Sequence, residues 1–207
     1  KRQILSLVST PSYNPNNFVL GISQSDWNSL LNDERKPLLN KATSGAYPPG
    51  STFKMVVAAA ALELGLIGLN DKIFCAGFYE LGSRKFHCWL KGGHGKLTLQ
   101  EGIQKSCDVY FYELARKVGV KRIGDMARRL GLGQAYNLPL TGLSKGFVPT
   151  KKWKKERFGT SWLVGDTLNV GIGQGFSLAT PLQLAVMTAR LASVSYTHLR
   201  AHETIAN

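Results

Sequence analysis

The stretch Tyr47-Pro48-Pro49-Gly50-Ser51-Thr52-Phe53-Lys54, followed by the apolar run Met55 to Leu62 and a stop at Gly65, decides how the chain is read. Two prolines and a glycine end whatever element precedes them, and the residues after Ser51 have the composition of a buried helix. Ser51 then sits in the first helical turn with Lys54 three residues on, on the same face, so that an amine comes within reach of a hydroxyl. An amine held among apolar side chains can take up a proton near neutral pH, which makes Lys54 a base for a nucleophilic Ser51. The helix N-terminus adds a positive dipole end where an oxyanion would form. The same spacing also arises from a capping serine followed by a lysine whose stem lies along apolar surface. The rigid turn, which aims the hydroxyl outward, favours the chemical reading.

Working outward, a second polar group falls where polarity is costly. The spacing of Ile103, Cys107, Phe111, Leu114 and Val118 predicts one helix over 99–118, and Ser106-Cys107-Asp108 lies inside it. Buried polar residues need partners. A Ser106 hydroxyl there can relay a proton, and the Asp108 carboxylate can orient a lysine or a substrate amide. Elsewhere, residues 3–10 alternate like a strand, and 11–41 is a connection carrying a short helix near Trp27 to Leu31. Residues 70–96 read as short strands and turns, and 121–130 as a helix. A polar, basic connection runs to about Gly165, and Asn169 to Gly175 leads into a helix from Thr180-Pro181 to about Ala192. Gly171, Gly173 and Gly175 do not form a phosphate loop, since no G-x-G-x-x-G is present and no lysine follows. Trp27, Trp89, Trp153 and Trp162 show no helical stripe and read as core or groove aromatics.

The 207 residues carry 26 Lys and Arg against 13 Asp and Glu, 43% apolar residues and three Cys. That composition excludes a disordered chain, and the longest apolar run is far short of the roughly 20 residues a bilayer needs. The net charge of +13 gathers partly at Lys151, Lys152, Lys154, Lys155 and Arg157. Such a run is a solvated face or an attraction for a polyanion, and charge alone does not choose. Val194 to Thr204 (VSYTHLRAHET) resembles a translated sequencing adapter. Residues 194–207 are therefore expected to be foreign, with whatever followed Ser193 replaced.

Cys75, Cys88, His94 and Cys107 follow the order C-x12-C-x5-H-x12-C. Three thiols and an imidazole make a closed tetrahedral zinc set, and a metal accounts for an odd thiol count. The alternative is a Cys75–Cys88 disulfide with Cys107 as a small buried hydrophobe. His87, adjoining Cys88 on a strand, would face the opposite way and reads as a surface residue.

S-x-x-K, together with an S-x-D form of S-D-N, is the motif set of penicillin-binding proteins and class A β-lactamases. Beyond the motifs, LVSTPSYNPNNFVLGIS (7–23), PLLNKATSGAYPPGSTFK (37–54), GGHG (92–95), SCDVYFYELA (106–115) and NVGIGQGFSLATPLQLA (169–185) resemble the penicillin-binding protein 2 family, the elongation-specific peptidoglycan D,D-transpeptidases of Gram-negative bacteria. The resemblance covers nearly all of residues 1–193. It implies an α/β (α+β) fold of the transpeptidase and serine β-lactamase type, here the helical part with the first strand of the antiparallel sheet. It also implies a zinc-binding insert over 70–107.

Carried over, the resemblance implies Ser51 as acyl-accepting nucleophile, Lys54 as its base, and Ser106 and Asp108 as the second motif. The third motif, K-T-G, does not occur in the chain, so the isolated polypeptide is expected to be inactive. Some family members hold a metal through two carboxylates, the GHG histidine and the cysteine of the second motif; Cys75 and Cys88 fall where the carboxylates would be. The implied partners are D-Ala-D-Ala stem peptides, β-lactam antibiotics and membrane proteins of the elongation machinery, at the periplasmic face of the inner membrane, with no nucleic acid. A β-lactamase is disfavoured by the lack of an E-x-x-x-N deacylation motif. A different class of protein, a zinc-stabilised basic module binding nucleic acid or serving as a non-catalytic wall receptor, has no reason to bring Ser51 and Lys54 opposite Ser106.

Overall fold

The computed structural model describes residues 4–203, with side chains described for 4–193. Helix α1 (Gln24–Asn32) starts at Ser23, whose Oγ accepts the Asp26 N–H. Past the Pro-Pro-Gly turn, a 3-10 turn (Gly50–Phe53) runs straight into α2 (Lys54–Glu63), so Ser51 sits in the tighter turn ahead of the α-helix. Four short strands follow: β1 (Ile73–Cys75), β2 (Phe78–Leu81), β3 (Arg84–His87) and β4 (Gly95–Leu97). They form two antiparallel pairs, β1 with β4 (Cys75 opposite Gly95) and β2 with β3 (Tyr79 opposite Phe86). Then come α3 (Leu99–Gln104), α4 (Asp108–Val118), α5 (Val120–Arg129), α6 (Lys151–Phe158), α7 (Val164–Gly171) and α8 (Pro181–Glu203).

The core is built on α4. Tyr110, Phe111 and Leu114 are fully buried there against Val56, Val57, Ala60 and Ala61 of α2, with Ile123 and Ala127 of α5 and Leu168 of α7 closing the remaining sides. Helix α7 lies so close to α4 that a Cβ on Gly171 would come within 2.4 Å of the Ala115 methyl. Apolar burial of this kind is the main stabilising term, at roughly 25 cal/mol per Å2.

Four expectations are corrected. The helix predicted over 99–118 is two helices. Thr98 and Glu101 form a capping box that starts α3, Ser106 takes a left-handed φ of 48°, and Cys107 caps α4 by accepting the Tyr110 N–H. Both helices bury side chains in one core, so the apolar spacing runs across the break unchanged. Residues 4–10 are extended but pair with no strand among the described residues. Ser9 instead ties them to the loop at Leu39 and Lys41, and Ile4, Leu5 and Val8 line an apolar groove of about 700 Å3 shared with Tyr136, Leu182 and Val186. The connection expected up to Gly165 contains α6 and the start of α7. The last helix runs to Glu203, past Ala192. Among the described residues no helix is long and apolar enough to cross a membrane.

Candidate active site

Three elements deliver the polar side chains that the sequence singled out. The 3-10 turn presents Ser51 at the surface, the first residue of α2 carries Lys54 inward, and the break between α3 and α4 supplies Ser106 and Asp108. Lys54 is 2% exposed. Its Nζ donates to Ser106 O at 2.8 Å, Ser106 Oγ at 3.0 Å and Asp108 Oδ1 at 2.7 Å. Three N–H bonds thus meet three acceptors, and the amine also lies 5.7 Å from the Phe111 ring centroid. Ser106 Oγ donates to Ser51 Oγ at 2.9 Å. A continuous chain therefore leads from the buried amine through a half-buried hydroxyl to an exposed one. The sequence expected Lys54 to reach Ser51 across one helical turn; the structure routes the connection through Ser106.

Backbone geometry fixes each link. The left-handed Ser106 turns both its carbonyl and its hydroxyl toward Lys54, a conformation that costs a non-glycine residue about 1–2 kcal/mol. Asp108 is held from two sides, by Lys54 and by the Trp89 N–H at 3.1 Å, and the Trp89 indole N–H donates to Lys105 O at 3.1 Å. Gly50 donates its N–H to Gly173 O at 2.9 Å, and a Cβ on Gly173 would stand 2.1 Å from Gly50 O. Gly173 therefore serves close backbone approach, seated against the residue that precedes Ser51. Sequence reasoning missed Trp89 and Gly173 as parts of the site. The run of spaced glycines was a usable signal for the second, whereas nothing in the sequence marks a main-chain N–H.

Cys75, Cys88, His94 and Cys107 also converge, their donor atoms all lying within 4.8 Å of one another. His94 Nδ1 is 3.6 Å from both Cys75 Sγ and Cys88 Sγ. All three cysteines are free and buried, which leaves the Cys75–Cys88 disulfide unformed. Burial pushes the Cys107 thiol well above its ordinary value. The His94 imidazole is lowered by burial first and by Lys105 second, with Asp108 opposing. The set is somewhat wider than the roughly 4 Å expected of donors around one small ion. His87 is exposed and takes no part in the cluster.

The basic run falls on α6. Lys151, Lys152, Lys155 and Arg157 face solvent, while Lys154 turns inward to Asp166 Oδ2 at 2.5 Å. The same oxygen accepts the Leu163 N–H at the start of α7. One member of the charge run is thus a structural pin, and it anchors the helix that leads to Gly173.

The chain resembles known proteins in sequence and in overall structure. The model of the penicillin binding protein transpeptidase domain matches residues 1–202. The chain is 45% identical to the peptidoglycan D,D-transpeptidase MrdA of Escherichia coli strain K12 over 184 residues, which is 88% of this chain and 29% of that protein. The chain therefore spans under a third of the length of such relatives. The crystal structure of Pseudomonas aeruginosa PBP2 in complex with WCK 5153 superposes with a TM-score of 0.85 at 42% identity, covering 89% of this chain and 42% of that one. PBP2 of Helicobacter pylori, in its complex with MreC, gives 0.82 at 43% identity over 86% of this chain and 33% of that one. With Ser51, Ser106 and Lys54 joined by hydrogen bonds and the family match running along the chain, the polypeptide belongs to the penicillin-binding protein transpeptidase family.

Proposed function

We propose that the polypeptide carrying this chain cross-links peptidoglycan by serine acyl transfer during cell elongation. The observation that carries the reading is the hydrogen-bonded chain from Lys54 through Ser106 to Ser51. As drawn, with a charged amine, the bonds run outward to Ser51. When Lys54 is neutral the same contacts reverse: Ser51 donates to Ser106, Ser106 donates to Nζ, and the proton of the attacking hydroxyl passes inward. Ser51 Oγ attacks the penultimate D-Ala carbonyl of a donor stem peptide. The terminal D-Ala leaves as its nitrogen takes a proton back along the Ser106 path, and the amine of a second stem peptide resolves the acyl-enzyme. Asp108 keeps Lys54 in register throughout.

A β-lactam would enter as a donor mimic and stop at the acyl stage. We place it at the periplasmic face of the inner membrane, beside membrane proteins of the elongation machinery; the complex of Helicobacter pylori PBP2 with MreC supports a protein partner there. On this reading residues 1–193 are a partial transpeptidase domain and 194–207 are foreign to it.

The second part of the reading is zinc at Cys75, Cys88, His94 and Cys107. A tetrahedral ion with bonds of about 2.0 to 2.3 Å sets a sulfur and a nitrogen about 3.6 Å apart, the spacing from His94 Nδ1 to both sulfurs. Three buried thiols and a partly buried imidazole are a donor set that suits that ion. It would supply structural fixation, holding Cys107 and hence the neighbouring Ser106 and Asp108.

Fluorescent penicillin labelling of the full-length polypeptide, followed by peptide mapping, tests the acyl-transfer reading. The adduct is expected on Ser51 and absent in Ser51→Ala; labelling retained in that variant refutes the assignment.

A further inference from the structure

The thiol cluster and the Lys54–Ser106–Ser51 chain meet at two points. Cys107 directly precedes Asp108, and Cys88 directly precedes Trp89, whose N–H donates to Asp108 Oδ2. Asp108 in turn holds Lys54. A change in the spacing of the sulfurs is therefore felt one residue away by the carboxylate that positions the amine. Carboxylate donors would hold a metal there without being oxidisable. Thiols brought to one point can instead leave as a disulfide.

We propose that Cys75 and Cys88 form a redox-modification site, at which an oxidant of the peroxide class joins them as a disulfide and disengages Asp108 from Lys54. The inference rests on the acyl-transfer and metal readings above. Geometry selects the pair. Both sulfurs approach the same His94 Nδ1 at 3.6 Å, with Cys75 the last residue of β1 and Cys88 the first residue after β3, each in a ladder of only two short strands. Cys107 is pinned instead as the cap of α4, with its sulfur accepting the Tyr110 N–H. Cys88 is the most open of the three, 5% exposed against 1% for Cys75 and none for Cys107, and hydrogen peroxide is close to water in size.

In the first step the Cys88 thiolate attacks one peroxide oxygen. An S–O bond forms, the O–O bond breaks, hydroxide leaves, and Cys88 becomes a sulfenic acid. In the second, the Cys75 thiolate attacks that sulfur, the S–S bond forms and a second hydroxide leaves. Two electrons pass from the two sulfurs to one peroxide, and two solvent protons turn the hydroxides into water. Cys107 and His94 remain, too few donors to retain a metal.

The test uses the full-length polypeptide purified with zinc and treated with excess hydrogen peroxide. Alkylation and peptide mapping count the thiols, a chromophoric chelator reads released zinc, and fluorescent penicillin reads acylation. Of the three thiols of this chain only Cys107 should remain alkylatable, with a Cys75–Cys88 linked peptide and stoichiometric zinc release. Acylation should drop at least about tenfold, as expected when an aligned catalytic group is displaced. A dithiol with added zinc should restore it.

Cys75 and Cys88 both still alkylatable, a link made through Cys107, or oxidised protein acylating at the untreated rate each overturns the proposal. Untreated protein without zinc overturns the metal reading, and untreated protein that takes no penicillin overturns the acyl-transfer reading; in both cases the thiol map still decides the redox one. The double variant Cys75→Asp with Cys88→Asp keeps metal donors and removes the oxidisable pair, so its acylation should resist peroxide. Equal peroxide inhibition of that variant places the sensitive group elsewhere and defeats the proposal.

Discussion

Substitution of Gly173 by alanine perturbs the backbone at Ser51, the proposed nucleophile, without touching any side chain of the Lys54–Ser106–Ser51 chain. The added methyl would stand 2.1 Å from Gly50 O and 2.7 Å from Gly50 N, where real Cβ contacts stay beyond 3.0 Å. The backbone preceding Ser51 must then retreat by about 1 Å, a displacement that can cost on the order of 100-fold in rate when it reaches an aligned reacting group. On the energy scale that is about 2.7 kcal/mol of lost transition-state stabilisation. Gly173 also has a φ of +71°, so alanine there loses about a further 1 kcal/mol of stability from backbone strain. The assay is the second-order rate of acylation by a fluorescent penicillin, measured where thermal melts show wild type and Gly173→Ala equally folded. A fall near 100-fold is expected, with the adduct still on Ser51. Acylation within threefold of wild type would refute the reasoning, because it would mean that Gly50 can move without carrying Ser51.

Other perturbations separate chemistry from packing. Lys54→Met should abolish acylation and also destabilise the fold by about 3 kcal/mol in urea titration, since it strips the partner from the partly buried Asp108; a lysine acting only as a base would have left stability nearly unchanged. Asp166→Asn should cost about 3 kcal/mol, because the buried Lys154 loses its counter-charge at the start of α7. Its acylation rate should fall more than that of an exposed charge change such as Lys155→Gln. At the surface, Arg35 hydrogen bonds hold the Asp33 carboxyl at about 2, below the ordinary 3.8. Its stabilising contribution is therefore complete above the ordinary value and lost as pH falls toward 2, so the melting-temperature gap between wild type and Asp33→Asn should close over that interval.

What the sequence shows and what it hides follow from how each feature is encoded. Ser51 and Lys54 were legible because a Pro-Pro-Gly turn, a hydroxyl, an amine and an apolar helix are all local, and local geometry follows from short spacing. The four-member thiol and imidazole cluster was legible because its donor types are few and chemically distinctive. The break at Ser106 was not, since α3 and α4 bury side chains in a common core and the apolar period passes through a residue whose left-handed φ leaves no trace in residue type. Helix α6 was hidden for the opposite reason. A lysine-rich segment has no apolar stripe, and its inward residue is itself a lysine, acceptable inside only because Asp166 waits twelve positions away. The same argument applies to the site. Ser106 was found as a polar residue needing a partner, yet its place as the bridge between Lys54 and Ser51 depends on that unreadable dihedral. An α-helical residue at this position would turn its carbonyl along the helix axis, and the two contacts that Ser106 gives Lys54 could not both be made. The strained residue is thus the one that joins two separate sequence motifs into a single hydrogen-bonded chain.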